Sequence, residues 1–400
     1  MESSGTNRVL ATPTLGLVWF GASVSLAEIL TGTFFAPLGL EMGLLAILVG
    51  HVIGCVLFGL VAYASARAGV SAMGAARRSF GAAGEKFFSV ANIVQLVGWT
   101  AIMVVSGASA ASLLVPQLGI AGWCIVIGAL IIVWIALGTK RMGYVQSVAA
   151  VLLFALTVVA SSAVFGSGDV AAQPDEALSF GAAVELAVAM PLSWLPVVGD
   201  YVREAKHPLA GSIASTIAYC AGSCWMFAIG LGCALFAGSD DIALVLSQGG
   251  LGVVGILIVV LSTVTTTFLD AQSAGISATS VWNKLDARVC GIVATVLGVV
   301  LAVFAPVSDF EEFLYLIGSI FAPMAAIVIA DYFLLKRNND GKGIDIRNAV
   351  LWVLGFALYR VSLGWDIPCG NTLPVIAIIV IAALAVDGVA RVLQRSRGGR

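Results

Sequence analysis

Charged side chains and histidines are scarce in this sequence. Lys, Arg, Asp and Glu make up 10% of the 400 residues, and only two histidines occur. An ordinary soluble domain is about one quarter charged, whereas 60% of these residues are hydrophobic and the mean hydropathy is +1.05. The composition excludes a soluble protein, and the long apolar runs that recur from Leu15 to Val392 indicate an integral membrane protein.

The same scarcities argue against several functions. A net charge of −2, with no basic stripe that carries interleaved aromatics, argues against nucleic acid as a partner. His51 and His207 have no evident set of partner residues, so the nucleophile, base or metal of a membrane enzyme is not indicated. Cys220 and Cys224 share a helix face, but two thiols alone make a weak metal site, and packing explains them better. We therefore expect no enzyme activity, no metal at these thiols and no cofactor.

Apolar runs of membrane-spanning length divide the chain. They predict about twelve transmembrane helices in an all-α fold. No stretch between them is long enough to form a water-soluble domain with its own core. Residues 1–400 are thus expected to form one transmembrane domain in contact with the lipid bilayer. The predicted spans are 15–38, 42–64, 87–115, 120–138, 143–165, 179–200, 210–237, 250–280, 289–307, 311–335, 346–364 and 372–392.

Positive charges alternate between the connections. Of the 20 Lys and Arg residues, all but Arg360 lie in even-numbered connections or in the two tails, whereas acidic residues dominate the odd-numbered connections. The positive-inside rule therefore places both termini and the even connections in the cytoplasm. The expected location is the cytoplasmic (inner) membrane, which the chain crosses many times.

Residues that interrupt helices concentrate in two spans. Span one contains GASVSLAEILTGTFFAPLG, residues 21–39, and span six contains AVAMPLSWLPVVGDY, residues 187–201, with two prolines. The two spans lie five apart, so a repeat of five spans places its second copy upside down in the membrane, as in many secondary transporters. We predict inverted repeats at 15–165 and 179–335, followed by two additional helices at 346–392. The alternative is that glycine and proline are simply common in membrane helices.

A few polar and aromatic side chains fall deep within these spans. Glu28 and Asp270 lie inside spans one and eight, where an ionisable group is costly enough that function is the first hypothesis. The alternative is a paired or protonated group that locks two helices together. Trp99 in span three and Trp194 in the interrupted segment suit either packing or stacking on a flat ring. The predicted substrate contacts are Glu28, Gln95, Trp99, Ser193, Trp194 and Asp270.

Hydroxyl groups in span eight indicate a cation site. Three of them recur at i, i+3 and i+4, and a broken span one adds free carbonyls; hard oxygens of this kind suit a small alkali cation. A second triplet, Thr263, Thr266 and Thr267, is equally well placed, and such hydroxyls often bond to their own helix or a neighbour. The coupling ion is therefore either Na⁺ or H⁺. The predicted cation-binding residues are Ala22, Ser25, Ser262, Thr265 and Thr266.

Three segments, taken in order, carry a family resemblance. The sequences WFGASVSLAEILTGTFFAPLG, PLSWLPVVGDYVREA and TTTFLDAQSAGIS resemble the nucleobase–cation symporter-1 family, and specifically its branch of hydroxymethylpyrimidine transporters. The resemblance extends over nearly the whole chain. It implies a leucine-transporter-like fold, in which a ten-helix inverted repeat precedes two extra helices, and Na⁺- or H⁺-coupled uptake of a pyrimidine-like compound.

The resemblance also implies roles for individual residues. In this family an aromatic from span three stacks on the substrate, and Trp99 matches that position. Span six supplies a second aromatic or a serine, but Pro191 stands where the usual aromatic lies, which leaves Ser193 or Trp194 for that role. In the region of span eight where nucleobase-transporting members of the family have an asparagine pattern, this chain has Asp270. This departure favours a substrate with an exocyclic amine over a plain oxo-purine or hydantoin.

The sequence therefore predicts a secondary transporter that imports a hydroxymethylpyrimidine-type thiamine precursor by cation symport. The alternative substrates are cytosine, another nucleobase, or an allantoin- or hydantoin-like compound. A channel would predict rings of motifs from several subunits, which a chain with two inverted halves does not require. A membrane enzyme is the remaining alternative. The stoichiometry and the oligomeric state stay open.

Overall fold

The computed structural model describes residues 8–113, 115–137, 142–165, 178–237, 252–304 and 310–398. This part of the chain is almost entirely helical, as the composition predicts. Short 3₁₀ segments lie at Ala36–Leu38 and Pro116–Leu118, and π-helical segments lie at Cys233–Ala237 and Ala330–Leu335. The α-helices described are α1 (Thr12–Ser23), α2 (Leu26–Thr33), α3 (Gly39–Ala68), α4 (Ala72–Ser112), α5 (Gly119–Leu137), α6 (Met142–Phe165), α7 (Phe180–Ser193), α8 (Leu195–Val202), α9 (Pro208–Gly232), α10 (Gly252–Val281), α11 (Ala287–Phe304), α12 (Phe310–Ile329), α13 (Ile346–Ser362) and α14 (Thr372–Gly398).

Each of the twelve predicted spans overlaps one of these helices or a pair of them. Among the described residues, 8 helical stretches are long and apolar enough to cross a membrane, and the number is 9 when the bent pair α1 and α2 counts as one span. The all-α membrane class is confirmed. The count of twelve spans stays a prediction.

Helix α4 begins well before the predicted start of span three. Its first turns precede a kink at Gly81, whose φ of 79° lies in the left-handed region that favours glycine. The amides of Ala82 and Ala83 then donate to the carbonyls of Lys342 and Gly343 at 3.0 and 2.7 Å. The connection before α13 thus satisfies the backbone groups that the kink leaves open.

The interruption predicted in span one is present. Helix α1 ends at Ser23 and α2 begins at Leu26, and the two axes differ by 50°. Ser25 caps α2, since its Oγ accepts a hydrogen bond from the Glu28 amide at 3.3 Å. The cap fixes the direction in which the second half-helix leaves the break.

The interruption in span six is narrower than the two prolines predict. Pro191 lies in the last turn of α7 and Pro196 in the first turn of α8, so that only Trp194 separates the two helices. Trp194 keeps a near-helical backbone, with φ −88° and ψ −8°. Proline is tolerated in the first turn of a helix, where its missing N–H has no partner to lose. Span six is therefore interrupted at one residue rather than unwound.

The broken spans lie at the centre of the helix packing. Helix α1 packs on α9, α3 packs on α7, and α4 packs on α10. In the predicted repeat, span one corresponds to span six and span two to span seven. The contact of α1 (span one) with α9 (span seven) therefore corresponds to the contact of α7 (span six) with α3 (span two). The packing supports the inverted repeat, which stays a prediction. Helices α5, α11 and α14 expose apolar side chains such as Ile125, Val293 and Ile381, as a lipid-facing surface requires.

The orientation in the membrane is open to a labelling test. In a background without the native cysteines, we expect Gln117→Cys and Asp366→Cys to react with an impermeant maleimide in intact cells, because their connections lack Lys and Arg. Asn283→Cys, beside Lys284, should react only after permeabilisation. All three positions are exposed. Labelling of Asn283→Cys in intact cells would contradict the assignment of both termini to the cytoplasm.

Candidate substrate and ion site

A small cavity lies where the two interrupted spans meet α4 and α10. We call it the central cavity; its volume is about 20 Å³. Leu96, Met103 and Met190 supply apolar wall. Many of the residues singled out in the sequence line it: Ala22, Ser25, Glu28, Trp99, Ser193, Trp194, Thr266 and Asp270.

The cavity is too small for a heterocycle in this conformation. A single water needs about 10–15 Å³ of such volume, so 20 Å³ accommodates about one water molecule. A flat ring enters only after the side chains around Trp99 and Met103 separate. The structure therefore represents a closed arrangement of the site.

Aromatic contacts hold the two tryptophans in place. The Trp99 ring meets Phe310 and Phe313 edge to face, with centroids 5.8 and 5.4 Å apart. Trp194 meets Trp19 in the same manner at 5.4 Å. The indole N–H of Trp99 is buried and has no hydrogen-bond partner among the described residues. Trp99 thus combines a fixed ring with a free donor at the cavity.

Gln95 is not among the residues that line the cavity, and its role as a substrate contact stays a prediction. Its Nε2 donates to the Ser193 carbonyl at 2.9 Å and to the Asn92 Oδ1 at 2.8 Å. Asn92 in turn donates to the Pro196 carbonyl at 3.3 Å. The two amides of α4 therefore satisfy the carbonyls around the break of span six, and Gln95 positions Ser193 from behind.

The two buried carboxyl groups differ in their hydrogen bonds. Glu28 accepts from the Tyr219 hydroxyl at 2.8 Å through Oε1 and from the Ser223 hydroxyl at 2.6 Å through Oε2. Within the described part of the chain, no hydrogen bond reaches the Asp270 carboxylate, which is 3% exposed and faces the cavity. An unpaired carboxyl at this depth is costly, so a binding role is the natural interpretation.

Hydroxyls of α10 reach the carbonyls at the break of span one. Ser262 donates to the Val24 carbonyl at 2.6 Å, and Thr266 approaches the Gly21 carbonyl at 3.5 Å. These carbonyls belong to the residues directly before Ala22 and Ser25, whose carbonyls the sequence predicted. The Ser25 carbonyl accepts from the Ile29 amide at 3.4 Å within α2.

The remaining hydroxyls of α10 separate into two kinds. Thr265 bonds back to its own helix, to the carbonyls of Leu261 and Ser262, both at 3.0 Å. Thr263 and Thr267 are buried and have no partner among the residues that the structure describes. Ser262 and Thr266 thus face the broken span, whereas Thr265 does not. Thr263 and Thr267 belong to the alternative triplet, and their hydroxyls have no hydrogen-bond partner among the described residues, so this triplet stays a candidate cation site.

Three residues around Glu28 carry no functional signal in the sequence. Tyr219 and Ser223 lie on α9 and bond its carboxylate, and His51 of α3 lies 2.6 Å from the Ser223 hydroxyl through Nε2. This contact joins α3 to α9. The relation of the histidine to Glu28 was missed, because hydroxyl residues are common in membrane helices and these are far away in the chain.

The chain matches a known family and several individual proteins. Residues 6–347 match the family described as permease for cytosine/purines, uracil, thiamine, allantoin. The cytosine permease of Escherichia coli K12 is 26% identical over 370 residues, which cover 90% of this chain and 84% of that protein.

Solved structures show the same fold. Mhp1, a nucleobase-cation-symport-1 family transporter in a closed conformation with bromovinylhydantoin bound, superposes with a TM-score of 0.81 at 19% identity, over 96% of this chain and 94% of that one. A Na⁺-coupled sialic acid symporter superposes with a TM-score of 0.70 at 14% identity, over 95% and 89% of the two chains. Because the family match covers most of its length, the chain belongs to the family of permeases for cytosine/purines, uracil, thiamine and allantoin, and it is a transporter rather than an enzyme.

Proposed function

We propose that this protein is a symporter of the cytoplasmic membrane that imports an aminopyrimidine, with the thiamine precursor hydroxymethylpyrimidine as its substrate. The observation that carries the proposal is the free carboxylate of Asp270 in a cavity lined by Trp99 and Trp194. The indoles provide flat apolar surface for a ring, and the carboxylate provides an acceptor for a ring amine.

The charge of the acceptor selects among heterocycles. A carboxylate accepts a hydrogen bond from an exocyclic amine. It repels the carbonyl oxygen of an oxo-pyrimidine, because both groups are acceptors with negative charge on oxygen. A hydrogen bond to a charged group contributes about 1.5–3 kcal/mol, which corresponds to roughly tenfold to a hundredfold in affinity. Where the ligand presents its exocyclic group to Asp270, the carboxylate thus favours the amine of an aminopyrimidine over the oxygen of uracil or hydantoin.

Cytosine is the second candidate substrate. It carries the same kind of exocyclic amine, and the Escherichia coli relative is a cytosine permease. Uptake of radiolabelled hydroxymethylpyrimidine into proteoliposomes, with unlabelled cytosine, uracil, hydantoin and allantoin as competitors, tests both. The proposal expects competition by the two aminopyrimidines in preference to the others. Stronger uptake of cytosine than of hydroxymethylpyrimidine would identify cytosine as the substrate. Uptake of hydantoin alone would contradict the proposal.

A cation site fits at the break of span one. The Gly21 and Val24 carbonyls and the hydroxyls of Ser262 and Thr266 are hard oxygens of the kind that Na⁺ prefers, and α10 already meets the break through them. A bound Na⁺ supplies positive charge between the two half-helices. Helix α10 places the hydroxyls of Ser262 and Thr266 beside the carbonyls of the broken span. A cation bound between these oxygens thus connects α10 to span one.

Replacement of the stacking residue is expected to weaken all flat ligands alike. Stacking on an aromatic contributes about 1–3 kcal/mol per base, so Trp99→Ala should lower affinity for hydroxymethylpyrimidine and cytosine by roughly tenfold to a hundredfold. Scintillation-proximity binding to purified protein measures the change. Trp225→Ala is the matched control, because Trp225 lies away from the cavity and bonds Ser161. Equal affinities in the parent and in Trp99→Ala would contradict a stacking role.

Replacement of the free carboxylate is expected to act selectively. Asp270→Asn should lower affinity for aminopyrimidines tenfold or more while affinity for uracil stays the same or rises, because an amide offers a donor as well as an acceptor. Competition binding with the two ligand classes on the same purified variant provides its own control for folding. A loss that is equal for both classes would show that Asp270 maintains the structure instead.

The two hydroxyl triplets are separable by neighbouring substitutions. If the triplet that contains Ser262 binds Na⁺, Ser262→Ala should raise the Na⁺ concentration needed for half-maximal uptake several-fold. Thr263→Ala should then leave it unchanged, since Thr263 makes no contact with the broken span among those described. The reverse result would favour the second triplet. Uptake that ignores Na⁺ in the parent would exclude both and leave H⁺ as the coupling ion.

A further inference from the structure

A chain of three buried polar side chains connects three helices beside the central cavity. Glu28 on α2, Ser223 on α9 and His51 on α3 are each 1% exposed or less. The Ser223 Oγ lies 2.6 Å from the Glu28 Oε2 and 2.6 Å from the His51 Nε2. Both separations are those of hydrogen bonds, so each contact must contain a hydrogen.

The outer ends of the chain have fixed roles. The His51 Nδ1 lies 2.8 Å from the Ile47 carbonyl, which can only accept, so Nδ1 carries a hydrogen. The other oxygen of Glu28 is occupied by the Tyr219 hydroxyl. The remaining hydrogens of the chain therefore lie between the Glu28 Oε2, the Ser223 Oγ and the His51 Nε2.

A count of these hydrogens shows that one is missing. The two contacts of Ser223 require two hydrogens, whereas its hydroxyl supplies one. The second is either on the Glu28 Oε2, beside a neutral imidazole, or on the His51 Nε2, beside a carboxylate. A concerted shift of both hydrogens along the chain converts one arrangement into the other without movement of the heavy atoms, so the same extra proton serves both.

We propose that Glu28, Ser223 and His51 form a binding site for one shared proton, and that occupancy of this site fixes α2 against α9 and α3. When the proton leaves, the Glu28 Oε2 and the His51 Nε2 both present lone pairs to a single hydroxyl. One of the two contacts then has no hydrogen and is repulsive. The bonded arrangement is thus present at low pH and is lost as the pH rises through the titration of the site.

Close backbone contact makes α2 sensitive to this loss. A methyl group on Gly32 of α2 would overlap the Phe227 carbonyl of α9, and one on Gly230 would overlap the Ile29 carbonyl. The helices therefore meet backbone to backbone, and repulsion between the Glu28 and Ser223 side chains acts directly on this close contact. Glu28 also lines the central cavity, so a shift of α2 reaches the substrate site; this link to transport rests on the proposed function.

No group around the chain replaces the missing proton. The neighbouring titratable groups are the thiols Cys55 of α3 and Cys220 and Cys224 of α9, the phenol Tyr219 of α9, and Asp270 of α10 across the cavity. Thiols, phenols and carboxyl groups are neutral or anionic at every pH. Among the described residues, none of these groups carries a positive charge, and none donates a hydrogen to either contact of Ser223.

The test needs no substrate, so its failure is distinct from failure of the proposed function. We use purified protein carrying His207→Gln, which leaves His51 as the only histidine of the chain. The ring nitrogens of ¹⁵N-labelled His51 are followed by NMR, and the carboxyl bands by infrared spectroscopy, across one pH series. A shared proton predicts that the Nε2 signal and a carboxyl band change together in one step. Two separate steps would overturn the proposal.

Two amide variants identify the step. In Glu28→Gln or His51→Gln, an amide donates to Ser223 and the serine donates onward, so the chain is complete without a dissociable proton. Each variant should abolish the same titration step, while Asp270→Asn leaves it in place. Persistence of the step in Glu28→Gln would contradict the assignment. Should a variant fail to fold, as judged by its thermal transition, the parent series alone decides.

Discussion

A helix that breaks inside a membrane leaves backbone groups without partners, and the whole centre of this protein is arranged to satisfy them. Gln95 and Asn92 of α4 bond the carbonyls around Trp194, and hydroxyls of α10 bond the carbonyls of span one. Water cannot perform this task in hydrocarbon. Spans three and eight are consequently tied to spans six and one, and the cavity is the space that these four spans enclose.

The same constraint separates the two carboxyl groups of the cavity. Glu28 lies in the first turn of α2, where the cap by Ser25 directs it toward the hydroxyls of α9. Asp270 lies within an unbroken helix, and no described side chain approaches its oxygens. A group whose bonds are satisfied internally contributes to the connection between helices, whereas one left open can pair with a ligand. One cavity thus holds a carboxyl group that bonds a neighbouring helix and a second whose oxygens stay open to a ligand.

Features with a local signature were predictable from the sequence, whereas features that depend on distant partners were not. The break near Val24 and the depth of Trp99 and Asp270 in their spans follow from helix breakers and from the position of each residue in an apolar run. The partners of Glu28 lie about 190 residues away, and serine and tyrosine carry no signal of their own. The narrow interruption at Trp194 was also hidden, because two prolines five residues apart predict a wide break until their positions in α7 and α8 are known.

The proposed ion sites act on opposite sides of one break. Na⁺ at the Gly21 and Val24 carbonyls stabilises the junction of α1 with α10, and the shared proton at Glu28 stabilises the contact of α2 with α9. If both ions bind more tightly when α2 occupies the position described here, each favours the other. Linkage makes this effect reciprocal: the factor by which the proton raises Na⁺ affinity is the factor by which Na⁺ raises proton affinity.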